Sequence, residues 1–126
     1  MILLDTHVWL WWLLEDGPLT DNERNTLDEH ASKGEIAISS ASIWEVEVLE
    51  RKGKIELLPD LKSWIKVATQ PEVCKVIPID EEVILAQRKL SSNFPDDLAD
   101  KLIVATALLN EYPLATKDEV LQNLGY

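Results

Sequence analysis

Asp5 directly follows Ile2-Leu3-Leu4 and stands just ahead of Val8-Trp9-Leu10, an apolar setting in which an unpaired carboxylate is costly. Four more acids occupy comparable places. Glu45 lies within two helical turns of Ser39-Ser40, where a second apolar run, Ile36-Ala37-Ile38, ends. Asp97 and Asp100 open a long apolar segment, and their spacing of three puts both on one face of a helix. Asp118 comes two residues after Thr116, the end of Leu114-Ala115-Thr116. If these apolar runs are strands of one parallel sheet, the five acids converge on its carboxyl edge, where open α/β sheets build their sites. Crowded carboxylates repel, so such a pocket needs protonation or a cation. Oxygen donors without His or Cys select Mg²⁺ or Mn²⁺. Magnesium keeps most of its waters and binds phosphate-bearing substrates, so phosphoryl chemistry is expected.

Most of these acids also have a purely structural reading. Ser42-Ile43-Trp44-Glu45 fits a capping box. Asp97 fits an N-cap with Asp100 as its first-turn acid, and Asp118 fits the cap of a last helix. Asp5 fits no such pattern.

The elements that must position these residues follow from punctuation and periodicity. Glycine and proline break the chain into short segments. Strands are expected over 2–4, 36–38, 73–79 and 114–116, with Pro78 confining the third to an edge or a strand end. Helices are expected over 8–14, 21–32, 41–51, 60–69, 80–90, 97–110 and 118–124; Leu61, Trp64, Ile65 and Ala68 show the helical spacing most plainly. Strands separated by helices pair in parallel through crossovers, and strands that are apolar throughout suit a sheet covered on both faces. The expectation is a three-layer α/β/α domain with a short, mainly parallel sheet of about four strands.

Composition bounds the rest. The chain has 126 residues, and 46% of them are apolar, so one domain over 1–126 with a core of its own is expected. With one cysteine, Cys74, and two histidines, His7 and His30, neither an internal disulfide nor a Cys/His zinc site can form, and a reducing, cytoplasmic setting is expected. The formal charge of −11 excludes a basic nucleic-acid coat and opposes adhesion to anionic membranes; bound metal ions can still invert the sign locally. MILLDTHVWLWWLL is interrupted by Asp5 and has no basic start, so neither a signal peptide nor a membrane span is expected, and the mature chain is expected to start at Met1.

Four segments, LLDTHVWLWWL, ISSASIWEVEVLERKGKIEL, PDDLADKLIVATAL and LATKDEVL, together resemble the PIN-domain nucleases. The similarity is greatest to the bacterial branch that includes toxins of VapBC-type toxin–antitoxin pairs, and it runs in order along essentially the whole chain. The resemblance implies a PIN-like fold and a metal-dependent endoribonuclease that leaves 5′-phosphate and 3′-hydroxyl ends. It implies Asp5, Glu45, Asp100 and Asp118 as the acids that hold Mg²⁺ or Mn²⁺, Asp97 as a further acid one turn ahead of the third, and Thr6 and Thr116 as supporting hydroxyls. It also implies an RNA substrate, a cognate antitoxin protein and a homodimer. One departure is visible. The branch commonly reads Asp-Pro-Ala-Asp-Arg where this chain has Asp97-Leu98-Ala99-Asp100-Lys101, and lysine loses the bidentate geometry of arginine.

Arg51, Lys52 and Lys54 form the densest basic cluster. Together with Lys101 they are candidates to hold RNA phosphates, although cations at a helix end also suit its dipole. The five tryptophans read as core rather than base-stacking platforms, with Trp11 or Trp12 left for an interface. Cys74 reads as a small buried hydrophobe. His7 reads as structural, because neighbours on an extended chain point oppositely. Two alternatives have the same broad architecture: a Mg-binding phosphoacceptor signalling domain, with Thr116 and Lys117 beside its acids, and a catalytically silent RNA- or protein-binding module.

Overall fold

The computed structural model describes residues 1–117. Asp118 and the helix expected over 118–124 lie outside the described residues.

β1 (Ile2–Leu4) leads into α1 (Thr6–Leu14) and α2 (Asp21–Ser32), then β2 (Ile36–Ser39), α3 (Ser40–Arg51), α4 (Leu61–Ala68) and β3 (Lys75–Ile77). α5 (Glu81–Ala86), a 3₁₀ turn (Gln87–Lys89), α6 (Leu98–Asn110) and β4 (Leu114–Ala115) complete the described chain. The strands form one parallel sheet in the order β3-β2-β1-β4, with Ile2 opposite Ile36, Ile38 opposite Val76 and Leu3 opposite Leu114. Helical crossovers separate successive strands, as parallel pairing requires.

Three local expectations are corrected. The first helix begins at Thr6 rather than residue 8, because the Asp5 carboxylate accepts from the Thr6 amide at 2.8 Å and the Asp5 carbonyl accepts from the Trp9 amide at 3.0 Å. The third strand is shorter than 73–79: the amides of Val73 and Cys74 are taken by the Gln70 carbonyl, and Pro78 has no amide to give. Its placement at a sheet edge agrees with the proline. The helix expected over 80–90 tightens after Ala86 into the 3₁₀ turn.

Side-chain alternation along the strands feeds two cores. Leu4, Ile36 and Ile38 pack with Trp9, Leu27, Leu57 and Ala68 on one face, while Leu3, Ala37 and Ile77 pack with Val83, Ala86, Leu102 and Ile103 on the other. α3 leaves at the carboxyl end of β2 and serves both, giving Val46 to the first core and Ala41 to the second. This is the expected three-layer arrangement. Leu3, Leu4, Ile36, Ile38 and Ile103 are all but sealed from water; cutting such a side chain back to Ala costs about 2–5 kcal/mol. Trp9 is fully buried and meets Trp64 edge-on, with ring centroids 5.4 Å apart. Cys74 is buried with its Sγ 3.4 Å from the Ala68 carbonyl, and burial pushes its thiol up to about 11. Among the described residues no helix is long and apolar enough to cross a membrane.

Candidate active site

β1 lies inside the sheet, and the order of connection reverses between it and β4, so the crevice forms outside the carboxyl ends of these two strands. Asp5 is the first residue beyond β1 and is buried. Its Oδ1 accepts from the Thr6 amide at 2.8 Å, and its Oδ2 accepts from the hydroxyl of Thr116, just past β4, also at 2.8 Å. The Asp5 amide donates to the Ala115 carbonyl at 2.9 Å. Sheet pairing thus delivers Thr116 to Asp5 across a separation of 111 residues. Thr6, fully buried, donates its hydroxyl to Ser42 Oγ at 2.9 Å and so ties the start of α1 to α3.

Glu45 owes its position to the early start of α3. Ser39 caps this helix, its Oγ accepting from the Ala41 amide at 3.0 Å. Ser42 therefore lies inside the helix with its hydroxyl turned to Thr6, which removes the capping-box reading of Glu45. The Glu45 carboxyl is half-buried, and its Oε1 has no hydrogen-bond partner among the described residues. Burial pushes its pKa above the ordinary carboxylate value; the Thr6 hydroxyl and the His7 ring pull it back, and the charges of Asp5 and Asp97 push it further up. The capping reading does hold for Asp97, which accepts from the Asp100 amide at 3.0 Å at the start of α6.

Asp5, Glu45, Asp97 and Asp100 line one cleft of about 400 Å³. Among the described residues His7, Trp11 and Lys117 line it too; the sequence places Lys117 beside the acids only in the phosphoacceptor alternative, and gives His7 and Trp11 no part there. The argument against His7 assumed an extended chain; because α1 starts at Thr6, His7 instead sits in a helical turn facing the cleft. Lys117 Nζ lies 2.9 Å from Glu23 Oε2 and holds that carboxyl below its ordinary range. The four cations picked from sequence line other surfaces. Lys101 pairs with Asp96 at 2.9 Å and borders a separate hollow. Arg51 pairs with Glu47 at 2.8 Å, and Arg51, Lys52 and Lys54 are exposed at the far end of α3, about 9 Å along the axis from Glu45 at 1.5 Å per residue. Asp118 lies outside the described residues.

A divalent cation suits this cleft on two observations: the buried, unpartnered Glu45 Oε1, and a donor set dominated by carboxylate oxygen, the chemistry of Mg²⁺ or Mn²⁺. Among the described residues no three acids, histidines or cysteines are drawn together tightly enough to hold a metal ion themselves. An ion in this cleft would therefore depend in part on water ligands, as magnesium commonly does.

Comparison with known proteins bears on the family and the fold. The family model described as PIN domain matches residues 2–125. The chain is 34% identical over 122 residues to ribonuclease VapC22 of Mycobacterium tuberculosis, covering 97% of this chain and 90% of that protein. It also superposes with a TM-score of 0.71 on a chain in the crystal structure of VapBC2 from Rickettsia felis bound to a DNA fragment from their promoter. That match covers 99% of this chain and 94% of the other at 18% identity, a likeness of fold.

Proposed function

Because the chain belongs to the PIN-domain family, we propose that it is an endoribonuclease that hydrolyses RNA phosphodiester bonds with Mg²⁺ or Mn²⁺ and serves as the toxin of a toxin–antitoxin pair. The observation that carries this reading is the convergence of Asp5, Glu45, Asp97 and Asp100, from three separate parts of the chain, on one cleft. The similarity to a protein named as a ribonuclease supports RNA as the substrate. The VapBC2 neighbour supports an antitoxin partner. The reading treats 1–126 as one domain, and includes a homodimer and a cytoplasmic location.

Asp5, Glu45 and Asp100 would hold the metal, with Asp97 close by and Asp118 as the fourth acid. When bound, the ion supplies polarisation of water and neutralisation of phosphate charge. The protein supplies position. The two hydrogen bonds on Asp5 fix its carboxylate, and Thr6 and Ser42 lock α1 against α3 so that Asp5 and Glu45 keep their spacing. Glu45 offers an oxygen with no competing protein partner. Water attacks phosphorus, the bond to the 3′ oxygen breaks, and that oxygen takes a proton. The products are a 5′-phosphate and a 3′-hydroxyl.

The phosphoacceptor alternative loses ground at β2, which ends in Ser39, a hydroxyl already spent on capping α3. The test of the proposal is cleavage of single-stranded and structured RNA by purified protein in Mn²⁺. Cleavage is expected to stop with chelator and with Asp5→Asn. Persistent cleavage by Asp5→Asn would overturn the assignment of the site, and absence of cleavage by the wild type would favour the silent module.

A further inference from the structure

We propose that the hollow between α3 and the start of α6 is a nucleobase subsite in which Trp44 stacks on a base of the RNA strand whose phosphate occupies the acidic cleft; this rests on the ribonuclease reading above. Trp44 is 48% exposed, whereas Trp9 is fully buried, so Trp44 does not serve the core. It lines a hollow of about 330 Å³ with Val48, Leu98 and Ala99, and Leu98 is also largely exposed. Two further walls of this hollow, Glu45 and Asp97, are also walls of the acidic cleft. The two spaces therefore adjoin, with Glu45 and Asp97 between them.

Charge decides what the hollow accepts. The charged residues lining it are Glu45, Asp96 and Asp97, with no cation among its described walls, so a second phosphate would be repelled. An uncharged planar group would meet an indole and three aliphatic side chains, the combination of aromatic and apolar surface that single-strand binders use to stack bases without reading their edges. A nucleotide joins the two requirements covalently, its phosphate for the cleft and its base for the adjoining apolar wall. The subsite would contribute affinity and register while discriminating weakly between bases.

The test uses the Asp5→Asn protein, so that strands stay intact, in Mg²⁺ with an end-labelled octauridylate and with an octamer of abasic ribose phosphates. Affinity is read by fluorescence anisotropy and stacking by quenching of indole emission. Adding Trp44→Ala is expected to weaken octauridylate about tenfold and leave the abasic strand unchanged. Trp44→Phe should recover most of the affinity and abolish the Trp44 share of the quenching. Equal loss for both strands, or no loss for either, overturns the subsite; in the second case the hollow belongs to a protein partner. The two readings fail separately. Wild-type cleavage with a base-independent Trp44→Ala effect retains the nuclease and removes the subsite. Base-dependent binding by a wild type that cleaves no RNA does the reverse.

Discussion

If Glu45 holds a metal ion, it does so at the expense of the fold. A half-buried carboxyl with a bare oxygen, raised in pKa by its own burial, is a poor choice for stability alone. Glu45→Gln keeps the shape and removes the charge. In chelator this variant is expected to be as stable as the wild type or up to about 1–2 kcal/mol more stable in urea denaturation, while RNA cleavage in Mn²⁺ falls more than about a hundredfold, beyond the loss typical of residues that only support metal ligands. A clear loss of stability in chelator would instead make Glu45 a structural residue. Asp5 stood out in the sequence as an acid within an apolar run, and the structure gives it a local role as well, since its carboxylate caps α1 through the Thr6 amide. The Ser42–Glu45 spacing misled because a capping box and the interior of a helix share it, and only the Ser39 cap decides between them.

At the scale of elements, the exit from α1 is held by backbone geometry and by hydrogen bonds from α2. Glu15 closes the helix in the left-handed region and Gly17 follows at φ +84°, while Arg24 reaches from α2 to the carbonyls of Trp11 and Asp16 at 2.8 and 2.7 Å. A Cβ on residue 17 would run into the Trp11 ring, and Trp11 is a wall of the acidic cleft. Gly17→Ala is therefore expected to cost about 1–3 kcal/mol in urea denaturation and to perturb cleavage more than an equally destabilising change in the α5–α6 core, such as Val83→Ala. If both variants lower cleavage alike, Trp11 has no role in shaping the site. Helix existence was readable from caps: Thr20 with Glu23 forms a full capping box, and Asp60, Asp80 and Asp97 each cap the helix they precede. Boundaries were less so: α1 starts two residues ahead of the expected position 8, and this turns His7 to the cleft.

At the scale of the whole molecule, parallel pairing and the covering of both sheet faces were legible from the apolar strands. The strand order was not, because no local pattern says which strand neighbours which. The response to acid follows from individual carboxylates. Glu23, Asp60 and Asp96 are held below their ordinary values by Lys117, by the Ser63 amide and by Lys101 respectively. Carboxylates lowered in the folded state contribute stability that is complete above the unfolded values, 4.5 for Glu and 3.8 for Asp, and is lost as pH falls through the lowered ones. The thermal midpoint is expected to fall as pH drops below 4.5, and Glu23→Gln should flatten the upper part of that decline; an unchanged profile would remove the Lys117 pair from the account. Glu45 acts in the opposite sense, since its protonation relieves the cost of burying its charge. The bond between Asp5 and Thr116 has a consequence in time. A ribosome makes the first of these residues early and the second only after 110 further peptide bonds, so a growing polypeptide carries its leading acid without the hydroxyl that fixes it. The surroundings of Asp5 are therefore completed only when β4, the last of the described strands, has been made and paired.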